Sequence, residues 1–194
     1  MQDGGAVLGF SYHDLMARLR TRGPDDAWAR LRGILAWFRE VLAEGGYREY
    51  YRDPERGTLQ GGGPPGGLGM DCEFVESILV PQVMLYGFLG FRPEVDAFTL
   101  DPRLPGEWPE LRLNRIHLQD AVLDVTVAPR TIRIAAQRTG DRLPAFVVPP
   151  GEWECRYRDE QGGTVGQVAN LSHQAEDRVP LLVPGSAALE LTRR

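Results

Sequence analysis

The stretch MDCEFVES at 70–77 sets three carboxylates, Asp71, Glu73 and Glu76, at the mouth of an apolar run that continues ILVPQVMLYGFLGF. Directly before it lies LQGGGPPGGLG, dense in glycine and proline. Carboxylates in the first turn of a helix are held ionised by the positive end of the helix dipole, and an ionised carboxylate beside a cleft can take a proton from water. The same residues also have a structural use, Asp71 as an N-cap and Glu73 and Glu76 as complements of the dipole. Glu73 and Glu76 are three apart and repel each other when both are exposed on one face. Spacing alone leaves a general base and a helix cap both open.

The elements that would position these acids change character along the chain. From His13 to Arg22 the apolar residues Leu15, Met16 and Leu19 recur at three and four, which predicts a helix. A second helix is predicted over PDDAWARLRGILAWFREVLAE: Pro24 suits its first turn, Asp25 and Asp26 complement its dipole, and Gly45-Gly46 stops it. Trp28, Leu31, Ile34, Leu35, Phe38, Val41 and Leu42 give it a wide apolar face. A long Gly/Pro connection follows, with Tyr47, Tyr50 and Tyr51 in it, and connections of that length are commonly functional or disordered. The third helix is predicted from about Cys72 to Gly87, apolar all round and therefore central, with a kink at Pro81.

Beyond Pro93 the period becomes two. ELRLNRIHLQ, AVLDVTVAP and TIRIAAQR alternate apolar and polar residues, and LPAFVVP, WECRYRD, VPLLVPG and ALELTRR are shorter candidates. Gly, Pro and Asp punctuate them at the spacing of a sandwich. The expected fold is therefore α+β, with helices over 1–92 and an antiparallel β-sandwich over 93–194, packed through Trp108 and the LYGFLGF helix end.

Composition bounds the function. The chain has 194 residues and 42% hydrophobic content, enough for a real core, and a formal net charge of -5 that gives a polyanion no reason to bind. No nucleic-acid motif and no run of about 18 apolar residues occurs, so neither a nucleic-acid nor a membrane partner is expected. All 22 basic residues are Arg, which fits a GC-rich genome better than a function. Cys72 and Cys155 lie far apart and read as two reduced, buried thiols, which suits a cytoplasmic setting; MQDGGAVLGF lacks a basic n-region and does not read as a signal peptide. His117 and His173 have no metal-ligand spacing and the cysteines form no CxxC, so no metal and no cofactor are expected. GGGPPGG lacks the Lys-Ser/Thr of a phosphate loop.

The succession of Gly-rich loop, acidic helix start, LYGFLGF and LDPRLPGEWPELRLNRIHLQDAVLDVTV resembles the end of the six-hairpin glycosidases. In that group an (α/α) barrel is followed by a C-terminal β-module, as in maltose and kojibiose phosphorylases and some fucosidases, rhamnosidases and trehalases. The turn at Pro102, Leu104, Pro105 and Trp108 is the most specific part, and QDGGAVLGFSYHDLMARLR is similar to a late barrel hairpin. The resemblance implies that the helices are hairpins from the end of such a barrel, and that Trp108 plugs the joint between barrel and sheet module.

For the acids it implies alternatives. Trehalase-like members carry the general base as Glu followed by an aromatic, matched by Glu73-Phe74; fucosidase-like members carry it in an apolar-Asp-x-x-Phe stretch, matched by Asp71 and Phe74. In the phosphorylases this helix start binds phosphate with a His and hydroxyls. No His stands here and acids repel phosphate, so hydrolysis is favoured.

Inverting hydrolysis needs a second carboxyl, the general acid, about 6.5–9.5 Å away. The resemblance implies that it comes from an earlier hairpin of a barrel that needs about twelve helices, against roughly three or four here, so the chain resembles the C-terminal part of a longer enzyme whose other barrel half is a partner of the site. Glu76 and His13 become candidate substrate contacts, although a His13 satisfied by a neighbouring helix is the commoner case. Tyr47, Tyr50 and Tyr51 could stack on a sugar face or simply pack in the loop. The alternative class is a non-catalytic carbohydrate-binding or assembly module in which the acids are caps.

Overall fold

The computed structural model describes residues 11–50, 52–53, 55, 78–172 and 177–194, with side chains at all of these but 47, 48 and 167–172. The chain divides into two compact units, residues 1–84 and 85–194.

In the first unit α1 (Ser11–Thr21) and α2 (Pro24–Ala43) form a hairpin. Leu15 and Leu19 of α1 are buried, as are Ala27, Leu31, Ile34 and Val41 of α2, the three- and four-residue spacing of one helix face. The turn between them works because Gly23 takes φ 94 while the amides of Arg22 and Gly23 bond the Arg18 carbonyl at 2.7 and 3.0 Å. The apolar face of α2 is narrower than the sequence predicts. Leu42 lies one position past Val41 and is exposed, and Leu35, Trp28, Trp37 and Phe38 are half-buried.

An ion cluster joins the two helices on their polar side. Asp14 accepts from Arg18 Nε at 2.9 Å and from Arg30 Nε at 3.0 Å, while Arg18 Nη1 reaches Asp26 at 2.8 Å. Gly45 and Gly46, at φ 92 and 101, end α2, and the short α3 (Tyr47–Tyr50) follows.

Of the predicted third helix, the described part is α4 (Leu79–Gln82) running into a π-helical turn, Val83–Phe88. Two expectations change here. Pro81 sits in the first turn of α4, where a missing N–H has no carbonyl to leave unpaired, and the departure from α geometry comes after it. Ile78 and Tyr86 are exposed while Leu79, Val83 and Gly87 are buried, so this segment buries one side rather than its whole circumference.

The second unit is a β-sandwich. One sheet has the order β1-β2-β6-β9, from β1 (Arg92–Pro93), β2 (Ala97–Thr99), β6 (Ala145–Val147) and β9 (Arg178–Pro180). The other has the order β3-β4-β5-β10-β7-β8, from β3 (Leu111–Leu118), β4 (Ala121–Ala128), β5 (Thr131–Arg138), β7 (Glu152–Arg158), β8 (Thr164–Ser172) and β10 (Ala188–Arg193). Inward residues of both sheets share one core: Leu123, Val125, Ile132, Ile134, Cys155, Tyr157 and Leu189 from the larger, Phe98, Phe146 and Val179 from the smaller. Phe98 is the hinge of an aromatic row, with ring centroids 5.7 Å from Phe91 and 5.2 Å from Phe146. The Tyr157 hydroxyl, carried in among them, donates to the Pro180 carbonyl at 2.7 Å.

The sandwich is not wholly antiparallel as expected. β2 and β6 pair in parallel, because the chain leaves the small sheet after β2, builds β3, β4 and β5 in the large one, and returns in the same direction. Of VPLLVPG only Val179 and Pro180 are in a strand, β9: pairing stops at Pro180 and Leu181 tucks into the core from the bend that follows.

The segment entering the sandwich is zipped to the Pro-rich turn. Asp101 and Arg103 donate their amides to the carbonyls of Gly90 and Phe88 at 3.1 and 2.8 Å. A Cβ on Gly90, which sits at φ 65, would overlap the Asp101 backbone, so only glycine permits this approach. Trp108, turned by its amide bond to the Pro105 carbonyl at 2.9 Å, lays its ring 4.9 Å from that of Phe88. Trp108 and the LYGFLGF segment are therefore in contact within the second unit.

Candidate functional site

Asp71, Glu73, Glu76 and Tyr51 lie outside the described residues, as does Cys72. His13 is exposed on α1, its ring edge-on to Tyr12 at 5.5 Å, rather than seated against a neighbouring helix. Tyr50 is half-buried and its hydroxyl lies 3.5 Å from a Glu40 carboxylate oxygen of α2, which favours packing over a ligand contact. Tyr47 lies in α3.

The concavity with a mixed polar lining lies elsewhere, on the outer face of the six-stranded sheet. Period-two alternation that sends Leu123, Val125, Ile132, Ile134, Leu189 and Leu191 inward sends Asp124, Thr126, Arg133, Ala135 and Glu190 outward. Register then aligns Arg112, Thr126, Arg133, Glu190 and Arg156 in one row across β3, β4, β5, β10 and β7. Asp124, Ala135, Ala188 and Arg158 form the next row. Small side chains at Ala135, Thr126 and Thr131 lie among the long ones at Arg112, Arg133, Glu110 and Glu190, and a depression of about 500 Å³ results.

Two anchors fix its walls. Glu190 is clamped by Arg158, whose Nε and Nη2 reach its two oxygens at 3.3 and 3.1 Å. Asp124 accepts the amide of Arg115 at 2.8 Å, the residue at φ 61 in the β3 bulge, which turns the edge strand at the rim. Arg158 occupies Glu190, so Arg133, directly opposite Glu190 in register, has no ion pair among the described residues. Of the three carboxylates lining the depression, Glu190 is tied to Arg158, Asp124 to the Arg115 amide, and Glu110 to Arg112 Nη2 at 3.4 Å.

Sequence reasoning missed this face because its residues are the polar half of each strand, which alternation marks only as outward. The signal was the small Ala135 and the Thr pair among charged neighbours, and it becomes meaningful only once register puts them side by side. Among the described residues no group of three or more His, Cys, Asp and Glu could hold a metal ion, and no helix is long and apolar enough to cross a membrane.

Residues 91–147, from Phe91 to the end of β6, match the family model described as Glycosyl hydrolase family 65, C-terminal domain. The matched segment holds the Trp108 turn and the β3–β4–β5 meander that carries most of the depression. The match supports a C-terminal part of the kind found in that glycoside-active family, and it falls on the β-sandwich. No curated protein and no solved structure matches the chain.

Proposed function

We propose that the chain is the C-terminal portion of a glycoside hydrolase, whose sandwich closes a helical barrel and whose 71–76 segment supplies the general base of inverting hydrolysis. The observation that carries this reading is the family match over residues 91–147, which begins 15 positions after Glu76 in sequence. Glu73 is the first choice for the base, because it follows the glycine loop and precedes Phe74, and Asp71 the second, because it stands where an N-cap is most useful. Glu76, one turn further, contacts substrate or serves the dipole. The general acid comes from an earlier hairpin of the barrel. Hydrolysis is preferred to phosphorolysis because three carboxylates at one helix start repel phosphate.

The test is turnover of a glycoside panel by the full-length gene product, with and without inorganic phosphate. Glu73→Gln is expected to lower kcat by roughly 10²–10⁴ with KM little changed, the loss expected for a general base. Turnover that requires phosphate would replace hydrolysis by phosphorolysis. Full activity in both Glu73→Gln and Asp71→Asn would move the base elsewhere and leave the acids as caps.

A further inference from the structure

We propose that the depression on the outer face of the six-stranded sheet is a binding subsite for a neutral saccharide, separate in sequence from the 71–76 acids. Its lining offers guanidinium donors at Arg112 and Arg133, carboxylate acceptors at Glu110, Asp124 and Glu190, the Asn114 amide, and hydroxyls at Thr126 and Thr131. Paired donors and acceptors a few ångströms apart are the complement of vicinal hydroxyls, each of which both donates and accepts. The charge balance selects against other ligands. Counting Arg158, which clamps Glu190, three guanidiniums balance the three carboxylates, so the surface favours neither sign of charge, and an apolar helix would find Ala135 as the one apolar lining residue.

The size, about 500 Å³, falls within the range of small-molecule pockets, roughly 300–1,000 Å³. Part of the lining is pre-organised by the strands themselves: Arg158 holds Glu190 and the β3 bulge holds Asp124, so these two carboxylates lose little side-chain freedom on binding. Arg133, flanked by Thr126 and Glu190 and lacking an ion-pair partner among the described residues, is the donor most available to a ligand. The absence of an aromatic ring from this lining and its openness to solvent make the subsite weak, with Kd on the order of 1 mM. The choice of ligand class rests on the glycoside-active reading above, but the site and its test do not use the 71–76 acids.

The experiment is a ¹H–¹⁵N titration of the full chain with maltose, cellobiose and trehalose, and with glucuronate as the anionic control. Saturable shifts at the amides of Arg112, Thr126, Arg133, Ala135 and Glu190 with a neutral disaccharide are expected. Arg133→Ala is expected to weaken that binding about tenfold, and Ala135→Leu, which fills the floor, to abolish it while the remaining spectrum stays folded. No saturable shift up to 50-fold the expected Kd of about 1 mM, shifts confined to another surface, or tighter binding of glucuronate would overturn the proposal. Because binding rather than turnover is read, Glu73→Gln can fail its own test while this one succeeds, and the reverse.

Discussion

Cys155 shows how far burial changes one side chain. The thiol is fully enclosed in the sandwich core, and that burial, with the charges of Asp177 and Glu154 adding to it, pushes its pKa up to about 11. At pH 8 only about one thiol in 10³ is then ionised, and thiolate is the reactive form. Native chain is expected to resist iodoacetamide at Cys155 and to label fully once unfolded in guanidinium, read by peptide mass; rapid native labelling would contradict the core placement. The raised pKa also fixes a sign. Its stabilising share is complete below the unfolded value near 9 and is lost as pH climbs towards 11. Gly90 makes the complementary case, a residue required for what it lacks. Gly90→Ala sets a Cβ against the Asp101 backbone at a positive φ, and about 2–4 kcal/mol of sandwich stability should be lost, measured by urea denaturation. At this scale the reading of Cys155 as a buried reduced thiol holds, but the glycine's necessity depends on Asp101, eleven residues away, and could not be read locally.

Among the elements, the α1–α2 hairpin is expected to lean on the Asp14 cluster. Partial burial raises the Asp14 pKa, yet hydrogen bonds and charge from Arg18 and Arg30 outweigh it and hold the carboxyl below its usual 3.8. A lowered pKa contributes stability above the unfolded value and loses it as pH falls through the folded one. Asp14→Asn should therefore cost about 0.5–1 kcal/mol at pH 7, less at 1 M salt, with the cost shrinking as pH falls below 3.8 and gone below the lowered folded pKa. Denaturation curves of both chains at pH 7 and pH 2.5 (about 1.3 units under the usual value) check this, and an undiminished difference at the lower pH would assign the effect to packing. The α1 and α2 helices and the β3, β4, β5, β7 and β10 strands were legible because apolar spacing at three and four, or at two, repeats over six or more residues. β8 was not, since Gly166 and Gln167 interrupt its alternation and, as an edge strand, it needs only β7 to define it. The parallel pairing of β2 with β6 is likewise a long-range fact that neither three-residue strand encodes.

For the molecule as a whole, the Pro102–Trp108 turn and the strands after it, which carried the sequence resemblance, lie inside the segment that matches the glycosyl hydrolase family 65 C-terminal domain model. Sequence reading placed the chemistry in the acidic helix start, while the saccharide subsite proposed above emerged only when register brought five strands side by side. The strand order carries a further consequence for how the sandwich is made. β10 lies between β5 and β7, although it follows every other described strand in the sequence. Until residues 188–193 have left the ribosome, the large sheet exists as two half-sheets, β3–β4–β5 and β7–β8, each presenting a raw edge. Folding is thus held back to the end of translation of this segment, and closure joins partners far apart in sequence, a slow kind of pairing. A nascent chain arrested just before Ala188 should be protease-sensitive and bound by chaperones, whereas one arrested well beyond Arg194 should be protected, so the last strand works as a seal on the whole sandwich.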